Sequence, residues 1–548
     1  MSDEKIDVDI PAYDNKGLPP PSVVEDGPIE GEVINVSGHK QELDRNFGFW
    51  SICAIGVVSD NAWAAGGGAL VSASYRHKVQ IIAFYNGGGP GLIFELIAVT
   101  FFYVFIGASL AELASSIPSS ANVYHWALVT AGPKYGRVCS WWNCLAWIFG
   151  TASSILWAAN TIIAMYSLYH PDYTPQRWQI FVVFLIVCWM DASVVMFGQR
   201  IPPKLATLAC CVCIGGVFIT IMVCAIMPAT TGQGYASNSF VWTEWNNQTG
   251  YTSDGFVFLA GMLNGAFAIG TPDGVCHLCE EIPEPKKNIP KGIAAQLTIG
   301  FITTLCFYIA ILYSITSFTD VTSTPIVSLP LAAVYQQATR SRAGTTGLLF
   351  VFLLDTVVTI PDAYLTAGRM LWALARDQAT PFSATLARVH PTHRNPFAAQ
   401  LACGGIITLL GCIYIASAAA FGAFVGAFAI FTTLSYLAAL LPHLLTRRRH
   451  LRPGPFWMPA RVAYPVLGVA SAYIVVFNVV YCFPFALPAS PANMNYSALM
   501  VGGITVLLTA GYVWKRTRGY VGPAPKLDAE DGVAVAAVRV VGKRGKAA

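Results

Sequence analysis

Charge is what this sequence has least of. Only 11% of its 548 residues are Asp, Glu, Lys or Arg, whereas 55% are hydrophobic. Soluble domains carry roughly 25% charged residues, so this composition excludes an ordinary cytosolic globular enzyme. The net charge is only +4 and the basic residues are dispersed, which argues against a nucleic-acid-binding surface.

Several functional signatures are also missing from the sequence. The first 46 residues contain no apolar run, so we expect no cleavable signal peptide. The 14 cysteines lack the spacing of a disulfide framework, and Cys276 and Cys279 have no second ligand pair for a metal. Neither a Walker-type phosphate loop nor a nucleophile–base pair occurs. We therefore expect no enzyme activity, no cofactor, no metal and no ATP-driven step.

The two ends of the chain are polar. Residues 1–46 hold eleven acidic and four basic side chains and include Pro19–Pro21, which predicts a disordered acidic tail. Residues 515–548 form a second tail, which is basic. Between the tails, residues 47–514 form one apolar domain.

Long apolar runs fill this domain. A membrane helix needs ~20 mostly apolar residues. Twelve such windows occur, near residues 47–71, 90–111, 137–167, 178–198, 205–227, 255–279, 292–315, 344–366, 398–416, 420–445, 463–484 and 497–514. The sequence therefore predicts an all-α polytopic membrane protein with about 12 transmembrane helices.

The distribution of Lys and Arg predicts how these helices are oriented. Loops on the side of the chain termini carry 19 of these residues, and the opposite loops carry five. By the positive-inside rule, both termini are then cytoplasmic. The sequons at Asn247 and Asn495 fall in outside loops, which predicts glycosylation there. We interpret the run Arg447–Arg449 as an orientation signal that contacts lipid headgroups.

Two apolar windows are interrupted by helix-breaking residues. The first reads VSDNAWAAGGG over residues 58–68, and the sixth reads AIGTPDG over residues 268–274. Glycine weakens a helix and proline removes an N–H group, so both segments are expected to unwind at membrane depth. Unwound backbone at that depth lines a cavity or protein interior. Paired breaks in spans one and six indicate an inverted-repeat secondary transporter with its site at the midplane.

Four further segments carry a resemblance to a known family. They are Gly87–Ile93 (GGGPGLI), Ala111–Trp126 (AELASSIPSSANVYHW), Asp273–Lys291 (DGVCHLCEE followed by NIPK) and Ala367–Asp377 (AGRMLWALARD). In this order they resemble the amino acid–polyamine–organocation transporters, in particular the fungal amino-acid/choline/GABA permease branch. The family pattern has a glycine pair where this chain has Ala121 and Asn122.

The resemblance implies a LeuT-type fold, in which two inverted repeats of five helices are followed by two extra helices. It places the substrate between spans one, three, six, eight and ten. Freed N–H groups at the first break would hold a carboxylate, and freed carbonyls at the sixth would receive an ammonium group. The substrate-binding candidates are Asp60, Asn61, Ala62, Trp63, Phe267, Gly270, Thr271 and Asp273.

Other acidic residues are candidates for coupling or gating, because carboxylates at membrane depth are costly to bury. Asp355 and Asp362 are seven residues apart on span eight and face the same side, which suits a proton path. Glu112 and Glu280 lie near the cytoplasmic helix ends, where they form a gate or structural ion pairs with loop Lys and Arg.

Aromatic side chains beside the breaks bear on the substrate. Trp63 and Phe267 flank the two breaks, and aromatic faces attract ammonium groups. Ordinary packing and the interfacial aromatic belt explain most of the other aromatic residues. We expect a plasma-membrane secondary transporter of a small amine or amino acid, such as choline or GABA, coupled to protons by alternating access. Transport of a specialised alkaloid or amino-acid-derived metabolite, or nutrient sensing without transport, are the alternatives.

Overall fold

The computed structural model describes residues 32–35, 49–70, 72–75, 78–119, 121–197, 202–323, 329–390, 393, 395–416, 420–491, 494–517 and 537–540. Helices dominate these ranges. In chain order they are α1 (Phe49–Asp60), α2 (Ala62–Gly68), α3 (Ile82–Tyr85), α4 (Gly88–Ser116), α5 (Val123–Thr130), α6 (Pro133–Tyr169), α7 (Arg177–Phe197), α8 (Pro202–Thr230), α9 (Asn238–Trp242), α10 (Asp254–Ala268), α11 (Pro285–Tyr313), α12 (Phe318–Ser323), α13 (Pro330–Thr339), α14 (Arg342–Arg376), α15 (Ser383–Leu386), α16 (Phe397–Ala416), α17 (Ala420–Leu445), α18 (Ala460–Val480) and α19 (Ser497–Thr517).

The prediction of an all-α polytopic membrane protein is confirmed, and ten of the twelve predicted spans are continuous helices of sufficient length. Within the described ranges, ten helices are long and apolar enough to cross a membrane, namely α4, α6, α7, α8, α11, α14, α16, α17, α18 and α19. The two other spans are broken. Span one consists of α1 and α2, and span six consists of α10 and a 3-10 helix over Gly274–Glu281. We number the spans one to twelve in chain order.

Packing sorts the spans into a centre and a periphery. Helix α6 (span three) packs against α14 and α17, and α4 (span two) packs against α10 and α11. In the most apolar stretch of α6, 83% of the residues are buried, against 6% in α19. The last helix, α19, therefore lies at the edge of the molecule. The broken spans one and six are the first helices of the two expected repeats, spans one to five and spans six to ten.

The two polar tails meet. Strand β1 (Glu32–Asn35) pairs antiparallel with strand β4 (Ala537–Val540). Disorder of the N-terminal tail stays a prediction, because only residues 32–35 of that tail are described. Between α19 and the end of the chain, only residues 537–540 are described. We call the side of the molecule on which α1 begins and α19 ends the tail side, and the opposite side the far side. On the far side, β2 (Ser72–Tyr75) and β3 (Lys78–Ile81) form an antiparallel hairpin.

Span one breaks at a single residue. Asn61 has φ 38° and ψ 47°, the left-handed region that asparagine tolerates better than most residues. The expectation that the glycine run unwinds is wrong, because Gly66–Gly68 stay helical. They allow close packing instead: a β-carbon at Gly68 would lie 2.5 Å from the Trp157 indole.

Span six breaks over a longer stretch. Helix α10 ends at Ala268, and the chain leaves helical geometry until the 3-10 helix begins at Gly274. A β-carbon at Gly270 would lie 2.3 Å from the Ala266 carbonyl oxygen, so this bend excludes any side chain. The predicted unwinding around Pro272 is confirmed.

The structure changes the interpretation of one sequon. The Asn495 side chain is 2% exposed, and its Nδ2 donates hydrogen bonds to the carbonyl oxygens of Tyr481 and Phe483. Glycosylation would have to attach at that buried nitrogen, so modification of Asn495 stays a prediction that requires this loop to open. Asn247 is only half-buried, although its Nδ2 donates to Asp254 Oδ1 at 2.9 Å.

Candidate functional site

Asp273 ends the unwound stretch of span six and lies at the centre of a polar network. Its side chain is 0% exposed. Four nitrogen atoms lie within hydrogen-bond distance of Oδ2, namely Nδ2 of Asn122 at 3.3 Å, Nδ2 of Asn143 at 3.0 Å, Nε1 of Trp147 at 3.4 Å and Nε2 of His277 at 3.0 Å. The hydroxyl group of Tyr436 donates to Oδ1. The carboxylate therefore binds span six to spans three and ten and has little capacity left for a ligand.

Asp60 has the opposite character. Its Oδ1 accepts a hydrogen bond from Thr271 Oγ1 at 2.9 Å, which joins the two breaks directly. Its Oδ2 is buried without a hydrogen-bond partner among the described residues. A β-carbon at Gly300 on span seven would lie 2.8 Å from that oxygen. A buried carboxylate oxygen without a donor is costly, and a bound cation or a proton removes that cost.

Thr271 is held in place by span seven. Gln296 Nε2 donates a hydrogen bond to the Thr271 carbonyl oxygen at 2.5 Å. This contact uses one of the carbonyl groups that the helix break frees. Sequence reasoning missed Gln296, because its partner lies 25 residues away along the chain and no local pattern marks the pair.

A second polar cluster forms around Asn61, the residue at which span one breaks. Asn61 Nδ2 donates to Asp355 Oδ2 at 2.8 Å and to Thr359 Oγ1 at 2.9 Å. Cys213 Sγ on span five lies 3.3 Å from Asn61 Oδ1. The side chain of the break residue therefore joins spans one, five and eight, and Asp355 belongs to this junction.

Asp362 also contacts span one. Ser59 Oγ donates to Asp362 Oδ2 at 2.5 Å. Asp355 and Asp362 therefore face the same neighbour on one side of α14, as their seven-residue spacing predicts. Asp362 is half-buried, whereas Asp355 is fully buried.

The structure separates the two aromatic candidates. Phe267 contacts Trp157 of span three and Phe428 of span ten, with ring centroids 5.3 and 4.8 Å apart. Trp63 instead packs edge-on against Phe307 and Phe352. We call Trp157, Phe267 and Phe428 the aromatic trio.

The aromatic trio borders the unwound stretch of span six. A β-carbon at Gly270 would lie 3.4 Å from the Phe428 ring, and Thr271, the next residue, bonds to Asp60. Phe428 was not a candidate from the sequence, because only the folding of span ten against span six brings it there. Ala62 packs against span seven, where a β-carbon at Gly300 would lie 3.2 Å from the Ala62 β-carbon.

Glu112 lies in a separate cluster on the tail side. Its fully buried carboxylate accepts hydrogen bonds from Arg448 Nε at 2.8 Å and from the Met458 backbone N–H at 3.0 Å, and His443 Nε2 lies 3.2 Å away. The Arg448 guanidinium stacks over Trp457 at 4.0 Å. The prediction that Arg448 contacts lipid headgroups is therefore wrong, because this side chain points into the protein. The Glu280 side chain lies outside the described residues.

Removing the Glu112 charge is expected to destabilise the fold. Truncating one partner of a buried ion pair costs about 3–5 kcal/mol, because the other charge stays buried. In Glu112→Gln, Arg448 loses its counter-charge, so the thermal midpoint of the purified protein falls by several degrees. The matched control is Glu284→Gln, which removes an exposed pair with Lys287. Equal midpoints for both variants would show that the buried pair contributes nothing.

Comparison with known proteins identifies the family. The amino acid permease family model matches residues 47–506. The chain belongs to the amino acid permease family. It is therefore a multi-pass membrane transporter and not an enzyme. The permease is 30% identical to the choline transporter of Saccharomyces cerevisiae over 468 residues, which cover 84% of this chain and 80% of the relative.

Two other fungal relatives carry different names. A protein of Macrophomina phaseolina named as an amino acid/polyamine transporter is 27% identical, over 78% of the permease and 95% of that protein. The swainsonine transporter of Arthroderma benhamiae is 25% identical, over 88% of the permease and 92% of that protein. Both matches extend over most of each chain.

Proposed function

We propose that the permease imports a small organic amine of the choline, GABA or amino-acid type across the plasma membrane, together with protons. Both termini are cytoplasmic in this proposal, in agreement with the excess of Lys and Arg on the tail side. Alternating access exposes the region between the two breaks first to the far side and then to the tail side.

The observation that carries the proposal is that Asp60 Oδ2, at the junction of the two broken helices, has no hydrogen-bond partner in the part of the chain that the structure describes. A carboxylate attracts a positively charged nitrogen. Asp60 has an oxygen available for such a contact, whereas the oxygens of Asp273 already accept hydrogen bonds from protein groups. Gly270 and Thr271 are consecutive, so the carboxylate and the aromatic trio border the same unwound stretch. One substrate could therefore meet a negative charge at one end and aromatic faces at the other.

Aromatic faces favour a cationic substrate. Cation–π contacts contribute about 0.5–2 kcal/mol each, and they are the common means of recognising quaternary ammonium groups. The relatives are named after choline, which is a quaternary ammonium ion, after amino acids and polyamines, and after swainsonine, and all of these compounds contain nitrogen. These facts support an organic amine over a neutral solute.

A cavity on the far side supports entry from outside. Its volume is about 50 Å³, and it lies between the ends of the two broken spans, where Ala69, Asn264, Val425 and Tyr481 form parts of its wall. It therefore provides space beyond the breaks on the side that we assign to the exterior. In an importer, this space enlarges when spans one and six move apart.

Buried carboxylates support proton coupling. Asp60 and Asp355 each have an oxygen without a hydrogen-bond partner among the described residues. A proton on such an oxygen removes the cost of burying a charge, and release of that proton restores the charge. Asp355 binds the break residue Asn61, so its protonation would act on span one.

Uptake measurements test this proposal directly. Radiolabelled choline, GABA and a panel of amino acids are offered to cells that lack their own permeases, at two external pH values. We expect one of these amines to accumulate, and to accumulate faster at the lower pH. Surface-exposed protein without uptake of any of them would reject the proposed substrate class, and equal uptake at both pH values would reject proton coupling.

Transport of an alkaloid is a second candidate, favoured by the similarity to the swainsonine transporter over 88% of the chain. A bicyclic amine would use the same carboxylate and aromatic trio. Adding swainsonine to the same uptake assay separates the candidates. Alkaloid accumulation without accumulation of choline, GABA or amino acids would favour this second function.

Phe267→Leu is expected to weaken a quaternary ammonium substrate more than a zwitterion of similar size. The ring provides the cation–π contact, whose loss costs about 1 kcal/mol, or roughly a fivefold increase in KM. Phe352→Leu is the matched control, because Phe352 packs against Trp63 outside the aromatic trio. If both variants affect both substrates equally, Phe267 contributes packing and no cation–π contact.

A further inference from the structure

Asn122 occupies a backbone conformation that glycine normally takes. Its φ is 48° and its ψ is −123°, at the end of the turn that leads from span two into α5. The turn is closed by hydrogen bonds from the Asn122 N–H to the Ser119 carbonyl oxygen and from Trp126 Nε1 to the Ile117 carbonyl oxygen, both at 2.8 Å. A residue with a β-carbon is strained there, and such strain persists where the side chain has a role.

The Asn122 side chain contacts the unwound end of span six. Its Nδ2 donates to the Asp273 carbonyl oxygen at 3.1 Å and to Asp273 Oδ2 at 3.3 Å, and it lies 3.3 Å from His277 Nε2. The side chain is fully buried. A glycine would satisfy the backbone of this turn but would leave all three contacts unmade.

The two ends of this contact belong to different parts of the fold. Helix α5, which begins directly after Asn122, packs against α6 and α17, which are spans three and ten. Asp273 and His277 belong to span six, whose 3-10 helix packs against α1 and α11. Any movement of spans one and six relative to spans three and ten therefore has to stretch or break the contacts of Asn122.

We propose that Asn122 is a positioning residue, which holds the unwound end of span six against spans three and ten. It thereby stabilises the conformation in which these three spans are in contact. It acts through Asp273 and His277 and touches no substrate. The inference rests on the transport activity of the family and is independent of the proposed substrate and of proton coupling. Weakening this contact shifts the permease towards conformations in which the 3-10 helix has moved.

Thiol labelling measures that shift without any substrate. Cys276 and Cys279 lie on the 3-10 helix and are buried, while Cys188 and Cys403 are buried in spans four and nine. The full-length permease, purified in detergent, is treated with N-ethylmaleimide, and labelling of each cysteine is followed by peptide mass spectrometry. Cys188 and Cys403 report general unfolding, and Cys276 and Cys279 report movement of span six.

Two substitutions separate the side chain from the backbone. Asn122→Gly removes the amide and the strain together, whereas Asn122→Ala removes the amide and keeps the strain. Ala121→Gly is the matched control at a neighbouring buried residue. We expect both Asn122 variants to label at Cys276 and Cys279 about fivefold faster than the wild type, as loss of roughly 1 kcal/mol of hydrogen bonding implies, with Cys188 and Cys403 unchanged.

Each other outcome overturns the proposal. If Cys276 and Cys279 of Asn122→Gly were labelled at the wild-type rate, the Asn122 contact would not hold span six in place. Faster labelling in Asn122→Gly but not in a folded Asn122→Ala would assign the effect to backbone freedom. Equal acceleration at all four cysteines would show a general loss of stability. Once a substrate is known, the Asn122→Gly variant should change KM more than the maximal rate per surface molecule.

Discussion

Asp273→Asn is expected to lower uptake by about tenfold or more while the permease still reaches the cell surface. Hydrogen bonds to a charged group contribute about 1.5–3 kcal/mol each, roughly twice those between neutral groups. The neutral amide would weaken the bonds from spans three and ten, and its NH2 group would face groups that donate hydrogen bonds. Span six would then lose the hydrogen bonds that fix its unwound end, so the transport cycle would slow.

Asp191→Asn is the matched control for this prediction. Asp191 is another fully buried aspartate at membrane depth, on span four, outside the network that surrounds Asp273. We expect uptake in this variant to stay close to the wild type. Both variants are compared by initial uptake rate per surface-biotinylated molecule. Wild-type uptake in Asp273→Asn would remove the Asp273 network from the mechanism.

The second large effect is expected for Asp60→Asn. The asparagine has the shape of the aspartate and keeps an oxygen for the Thr271 hydroxyl group, so the junction of the two breaks is preserved. It cannot carry a negative charge or exchange a proton. Loss of a buried charge pair with an ammonium group costs about 2–5 kcal/mol, which corresponds to a loss of uptake of at least about thirtyfold.

Thr271→Ser is the control for Asp60, because the serine hydroxyl can still donate to the same oxygen. We expect it to transport at nearly the wild-type rate. The measurements are KM and the maximal rate at two external pH values. If Asp60→Asn kept both the substrate affinity and the dependence on pH, the carboxylate would bind neither the amine nor the proton, and the proposed site would have to lie elsewhere.

Asp60 and Asp273 look equivalent in the sequence, since each stands next to a helix break. The structure distinguishes them by their neighbours. Asn143 and Tyr436, which bind Asp273, lie 130 and 163 residues away along the chain. No local pattern contains that information, because the partners come together only when spans three and ten pack against span six. The sequence could therefore name both aspartates but not assign their different roles.

Two loops show the same dependence on distant partners. A run of arginines before a predicted loop looks like a lipid contact, yet Arg448 bonds to Glu112, 336 residues earlier. A sequon in a loop looks like a glycosylation site, yet the loop folds Asn495 inward onto the carbonyl groups of residues 481 and 483. Loops of membrane proteins pack on the ends of distant helices, and a linear pattern does not show which ones.

The number and position of the spans follow from the sequence alone, because transfer of apolar residues into a bilayer depends on about 20 consecutive residues and on little else. The presence of two breaks follows as well, since glycine, proline and asparagine act on the backbone locally. Which carboxylate stays available and which is saturated, and which aromatic rings border the unwound stretch, was decided only by tertiary packing. Hydrogen bonds and ring contacts act over a few ångströms, and the groups that make them here come from distant parts of the chain, as Asp60 and Thr271 do.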